Sequence, residues 1–140
     1  MLNHINSEPV DPAVRELMEI AAGFDPEQQE EMWSRYRSGR EAELYAYQDK
    51  EEWIGLIGIE MLSPERMDIM HLAIRPEDRL KGYGRGLILE AIVLKKPKLV
   101  TAVTDEEGAD FFRNIGFSVT GFFAAPGQPE LFRCVYEAEE

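Results

Sequence analysis

The run Arg79-Leu80-Lys81-Gly82-Tyr83-Gly84-Arg85-Gly86 sets three glycines at alternate positions among three cations, between the apolar stretch Met67 to Ile74 and the apolar stretch Leu87 to Leu94. The order is strand, glycine-rich turn, helix start. Without Cβ atoms in the way, main-chain N–H groups of such a turn can converge, and the helix N-terminus adds partial positive charge at the same point. The chemistry that fits is phosphate binding. Two familiar phosphate loops fail on the letters. No Gly-x-x-x-x-Gly-Lys-Ser/Thr run exists, and a Gly-x-Gly-x-x-Gly reading would need glycine where Leu87 or Leu89 stands.

Acid–base candidates lie just upstream. Glu60 falls within the apolar run Trp53 to Leu62 and Asp68 within Met67 to Ile74. If the Ser63-Pro64-Glu65 turn is centred on Pro64, the two carboxylates are cross-strand neighbours, and the pair pushes one pKa upward, toward what a general base needs near neutrality. A register one residue off leaves both as solvated strand-end acids. Strict alternation puts Asp68 on one face with Met70, Leu72 and Ile74, and His71 on the opposite face, where it reads as a hydrogen-bonded core histidine. Tyr83 and Tyr136 read as packing or surface aromatics. No metal is expected, because His4 and His71 are the only histidines and none of them pairs with Cys134 at ligand spacing.

The elements that must carry these groups follow from periodicity. Val14, Leu17, Met18, Ala21 and Ala22 recur at helical spacing behind Asp11 and Pro12, with Gly23 as a stop. A second helix starts at Asp25-Pro26, shows Met32, Trp33 and Tyr36 on one face, and ends near Ser38-Gly39. Three strands follow, Leu44 to Tyr47, Trp53 to Leu62 and Met67 to Ile74, joined by short turns into an antiparallel meander. After the Leu87 to Leu94 helix, closed by Lys95, Lys96 and Pro97, come a strand at Leu99 to Val103 and a helix opened by a Thr104-x-x-Glu107 capping box and ended by Gly116. Strands at Phe117 to Ala124 and Leu131 to Ala138 close the chain. The fold class is mixed α/β, residues 1–140 as one domain, with helices on both faces of a sheet that is antiparallel at its start and parallel where a helix crosses over.

A chain of 140 residues with 44% hydrophobic and 30% charged residues builds one core without disulfides or metal. Net charge of −12 disfavours nucleic acid and anionic membranes and favours a cationic small molecule. The single Cys134, in an apolar run, reads as a small buried hydrophobe, and a reducing, cytoplasmic setting is expected. No stretch reaches the roughly 18 apolar residues of a membrane span.

Arg79-x-x-Gly82-x-Gly84, preceded by Leu72-Ala73-Ile74-Arg75-Pro76, resembles the signature of the GCN5-related N-acetyltransferase family. Phe111-Phe112-Arg113-Asn114-Ile115-Gly116-Phe117 looks like its second signature. The resemblance implies an enzyme that passes an acetyl group from acetyl-coenzyme A directly to an amine, on a small molecule or a protein; paired protomers are the general default for assembly. It implies that Leu80, Lys81, Gly82, Tyr83, Gly84 and Arg85, with Arg79, hold the pyrophosphate, and that Leu72, Ala73 and Ile74 pair with the pantetheine arm. Asp68 falls where some relatives hold a catalytic Glu or His, with Glu60 beside it. Phe112 falls where the family usually has the tyrosine that protonates the thiolate, Asp105 where it often has Asn, and Gly108 where it often has Ala. These departures leave an alternative open, a catalytically quiet domain that binds or senses acyl-coenzyme A. A purely structural domain is the third reading.

Overall fold

Alternation of the longest apolar run, Trp53 to Leu62, divides its side chains between two cores, and the whole architecture hangs on that division. The computed structural model describes residues 2–5, 11–22, 25–38 and 42–138. The elements are β1 (Leu2–His4), α1 (Pro12–Ala22), α2 (Pro26–Ser38), β2 (Ala42–Asp49), β3 (Glu52–Ser63), β4 (Arg66–Ile74), a 3₁₀ turn (Pro76–Asp78), α3 (Tyr83–Lys95), β5 (Leu99–Thr104), α4 (Glu106–Asn114), β6 (Ser118–Phe122) and β7 (Leu131–Glu137). Among the described residues the strands form one sheet in the order β1-β2-β3-β4-β5-β7-β6. Only β4 and β5 run parallel, joined by the α3 crossover, as expected.

Leu56 and Ala73 face α1 and α2, packing with Val14, Leu17, Met18, Trp33 and Tyr36. Ile57, Ile59, Met67 and Ile69 face α3 and α4, packing with Leu87, Ile88, Ala91 and Phe112. A strand buried on both sides must be apolar at nearly every position, which is why β3 and β4 show so little polar alternation. Asp11 caps α1 by accepting from the Ala13 N–H at 2.9 Å, and Asp25 caps α2 by accepting from the Glu27 N–H at 3.0 Å. Lys95 ends α3 by pairing with Glu43 of β2, and Lys96, at φ 52°, closes the helix with its N–H on the Ile92 carbonyl.

Several sequence expectations shift. Gly23 and Gly39, read as helix stops, lie outside the described residues. The strand at Leu2–His4, paired with Tyr45 to Tyr47, is too short to show a period and was not expected. α3 begins at Tyr83, four residues before its apolar stretch, because Gly82 turns the chain into it. The cap of α4 is Asp105 and not Thr104: the Asp105 carboxylate accepts from the Gly108 N–H at 2.9 Å. The Phe117 to Ala124 strand contracts to Ser118–Phe122, and Phe117 turns into the core.

No described helix is long and apolar enough to cross a membrane. Leu56 has no exposed surface and fills the layer between β3 and the first two helices. Leu56→Ala should therefore lower the unfolding free energy by about 2–5 kcal/mol in urea titration. A loss under about 1 kcal/mol would contradict this packing.

Candidate functional site

β4 and β5 pair through only four residues, from Arg66↔Leu99 to Ile69↔Ala102. Beyond that point they part, and among the described residues no strand pairs with this edge of β4 over Leu72, Ala73 and Ile74. The gap opens into a cleft of about 780 Å³ that runs from the end of α1 past the parted strands to the start of α3 and the face of α4.

At the start of α3 the geometry is that of an anion site. The first intrahelical bond is from the Gly86 N–H to the Gly82 carbonyl, so the N–H groups of Tyr83, Gly84 and Arg85 have no partner within the helix, and no side chain caps them. Leu80 and Gly82 adopt left-handed backbone, φ 64° and 87°, which redirects successive amides across the turn. Gly84 is glycine for another reason: a Cβ there would lie 2.9 Å from the Phe111 ring. A Cβ on Gly86 would meet nothing within 4 Å, so of the three alternate glycines only two are demanded by the protein itself.

Leu72, Ala73, Ile74, Arg79, Leu80, Gly82, Tyr83, Gly84 and Arg85 all line the cleft, so the expected set converges on one space. Lys81 is the exception, because its ammonium is drawn 3.1 Å from Asp78. Asp78 is the residue that sequence reasoning missed. It is nearly buried, pairs with Arg75 as well as Lys81, and donates its own N–H to the Arg75 carbonyl at 3.0 Å in the same turn. Arg75 also reaches Glu52 at 3.0 Å, and Arg79 donates to the Ile74 carbonyl at 3.3 Å. The signal lies in the letters as Arg75-x-x-Asp78-x-x-Lys81, an i, i+3 charge alternation.

Glu60 and Asp68 are direct cross-strand partners, as expected, but by another route: the turn pairs Ser63 with Arg66, and a register shift between Met61 and Ser63 restores the match. Neither lines the cleft. Glu60 is engaged by Arg35 of α2 at 2.6 Å, and Asp68 accepts from the Thr101 hydroxyl at 2.8 Å. Burial holds the Asp68 carboxyl above its ordinary pKa, with Glu60 adding to the shift and Thr101 and Arg66 opposing it.

His71 departs from expectation. The β3–β4 register changes between Gly58↔His71 and Ile59↔Ile69, leaving Met70 as an extra residue in β4. A bulge reverses the alternation beyond it. Leu72 and Ile74 therefore face the α3 side, opposite Asp68, while His71 joins Asp68 on the α2 side, bonded through Nδ1 to the Tyr36 hydroxyl at 2.6 Å, and still lines the cleft. Burial, then the nearby Arg35 charge, push the His71 pKa down to about 4, so the ring is neutral at pH 7.

Phe112 is buried against Phe111 and Phe117, with ring centroids 5.2 and 5.0 Å away. Gly108 gives room to Thr104, whose hydroxyl would lie 1.9 Å from a Cβ. Asp105 and Gly108 are thus accounted for by how α4 is started. Tyr136 stacks on Phe117, and Tyr83 contacts Tyr47 beside the cleft. Among the described residues no three His, Cys, Asp or Glu side chains are grouped to hold a metal ion.

The sequence profile of the Acetyltransferase (GNAT) family matches residues 12–117. An uncharacterized N-acetyltransferase from the lysA 3′ region of Bacillus methanolicus is 26% identical over 54 residues, 39% of this chain and 45% of that protein, so the match spans less than half of the relative's length. Among solved structures, a GNAT-family acetyltransferase from Elizabethkingia anophelis with acetyl-CoA bound superposes with a TM-score of 0.75 at 16% identity, covering 99% of this chain and 97% of that one. An acetyltransferase from Bacillus subtilis in complex with CoA gives 0.74 at 16% identity, covering 99% and 98%. At such identities the likeness is one of fold.

The depressed Asp78 pKa makes the turn's brace pH-dependent. Its contribution is present in full above the unfolded carboxyl value of about 3.9 and is lost as pH falls through the lower folded value. The melting temperature of Asp78→Asn should lie below that of the unsubstituted protein at neutral pH, and the gap should close once the pH falls well below about 4. A gap of equal size across that whole range, by scanning fluorimetry, would contradict the brace.

Proposed function

The chain belongs to the GNAT acetyltransferase family, and on that premise we propose that it transfers an acetyl group from acetyl-coenzyme A to a primary amine. One observation carries this reading: the open edge of β4 and the uncapped amides of α3 face a single cleft. An extended arm ending in a diphosphate fits that arrangement, the arm along Leu72 to Ile74 and the diphosphate against the amides of Leu80 to Arg85. Arg79 and Arg85 line the cleft and supply countercharge, and Lys81 contributes by bracing the turn through Asp78. When bound, acetyl-coenzyme A supplies an activated acyl carbon as a thioester.

The chain's own groups then hold and orient the acceptor. Asp68, half-buried with Glu60 opposite and outside the cleft lining, adds negative potential beside the parted strands that favours a cationic acceptor. The net charge of −12 favours a cationic acceptor in the same direction. Phe112 offers no proton, so water protonates the departing thiolate, a modest demand for a thiol of pKa about 8.5.

Phe112 is also the specific observation behind a second reading, a domain that binds acyl-coenzyme A without turnover. Thiol release from acetyl-coenzyme A in the presence of spermidine, tyramine, an aminoglycoside and a lysine peptide separates the two. Amine-dependent release supports the transferase, and tight binding without release from any of them supports the quiet domain. For either reading, Gly82→Glu sets a carboxylate against the proposed diphosphate and should weaken coenzyme A binding by about ten- to a hundredfold in calorimetry. Undiminished affinity in the folded variant would overturn the assignment of the turn.

A further inference from the structure

We infer that His71 is the general base that takes the proton from the acceptor amine, and that Tyr36 is the positioning residue that fixes the tautomer for it; the inference rests on the transferase reading above. Three independent features of the fold bring this pair together. The extra residue Met70 turns His71 onto the α2 side of the sheet at the point where β4 leaves β5. Gly58, the cross-strand partner of His71, leaves a gap in β3 that any side chain would close, since a Cβ there would lie 1.9 Å from the Tyr36 hydroxyl. Through that gap Tyr36, only 2% exposed, reaches from α2 to His71 Nδ1 at 2.6 Å. A tyrosine wholly inside a core needs one partner for its hydroxyl, and this one finds it on the single imidazole that borders the cleft.

The neighbouring charges fit a base that is neutral before it acts. Tyr36 meets the ring from α2 and the Arg35 charge acts on it, while Arg35, Glu60 of β3 and Asp68 of β4 all act on the Tyr36 hydroxyl bonded to it. Glu60 is engaged by Arg35 and Asp68 by Thr101, so neither carboxylate holds the imidazole as an imidazolium. A neutral imidazole carries one N–H. With that proton on Nδ1, donated to the Tyr36 oxygen, the Nε2 lone pair is left on the side of the ring away from Tyr36, as in other sites where a second group orients a histidine base.

The step balances as follows. The amine nitrogen attacks the acyl carbon and a C–N bond forms. The C–S bond breaks, and sulfur leaves with the electron pair. The surplus proton on nitrogen passes to His71 Nε2 and from there to water, while the thiolate takes one proton up from water, so none is gained or lost. That balance is for the neutral amine: an acceptor arriving as an ammonium first gives one proton to water to free the lone pair that attacks, so one proton is released overall, and His71 removes the next proton once attack has made that nitrogen acidic.

Two measurements test this. Long-range ¹H–¹⁵N spectra of the unsubstituted protein at neutral pH resolve the ring readily, His4 being the only other histidine. Nδ1 should be protonated and Nε2 not, and Tyr36→Phe should mix the tautomers. In turnover with the best amine of the panel, His71→Gln should lower kcat by at least about a hundredfold and Tyr36→Phe by about tenfold, with coenzyme A affinity unchanged in both. Imidazole in solution should restore part of the activity of His71→Ala. A proton on Nε2 in the unsubstituted protein, or His71→Gln turning over at the unsubstituted rate, overturns the inference while leaving acetyl transfer intact. Failure of thiol release with every amine overturns the transferase reading, and the inference with it.

Discussion

The site depends on one constraint, that two parallel strands are allowed to pair for four residues and no more. β4 is held on its other edge by β3 along its full length, so the parting costs no collapse of the sheet. What it leaves is a row of main-chain groups on β4 that no strand pairs, the Ile74 carbonyl being met by Arg79. The proposed pantetheine arm is a partner of the right kind, an extended chain that can act as a temporary strand. The bulge at Met70 belongs to the same device. It lies where β4 leaves β5, and it decides which side chains of β4 face each side of the sheet there.

Around this opening the protein places positive potential with economy. The chain is acidic overall, yet the turn before α3 and the first turn of the helix concentrate Arg75, Arg79, Lys81 and Arg85. Two of them are spent on structure: Arg75 and Lys81 converge on the nearly buried Asp78, fixing a turn that must hold Leu80 in a left-handed conformation. Arg79 and Arg85 border the cleft. An anion site assembled from main-chain amides works only if the amides are already aimed, and the ion pairs at Asp78 do that aiming before any ligand arrives.

Much of this could be read from the letters. The Gly82-x-Gly84 turn, the strand before it and the helix after it follow from local backbone chemistry, and the Glu60–Asp68 pairing is legible as a short hairpin, although a register shift between Met61 and Ser63 is what sets it. What could not be read are features set by non-local contacts. The bulge depends on how β4 is shared between two neighbours, and without it strict alternation put His71 on the wrong face. Gly58 looks like any glycine in an apolar run until Tyr36 is seen above it. Thr104 fits a capping box as well as Asp105 fits a simple cap, and only the packing of Thr104 over Gly108 decides between them.

The account stands on the parted strands and the α3 amides acting together on one extended ligand. Backbone amide spectra during titration with coenzyme A measure that directly. The largest shifts should fall in two groups at once, Leu72 to Ile74 and Leu80 to Gly86, with the second group also responding to inorganic pyrophosphate alone. Shifts confined to other surfaces, or none in either group at saturating coenzyme A, would contradict it.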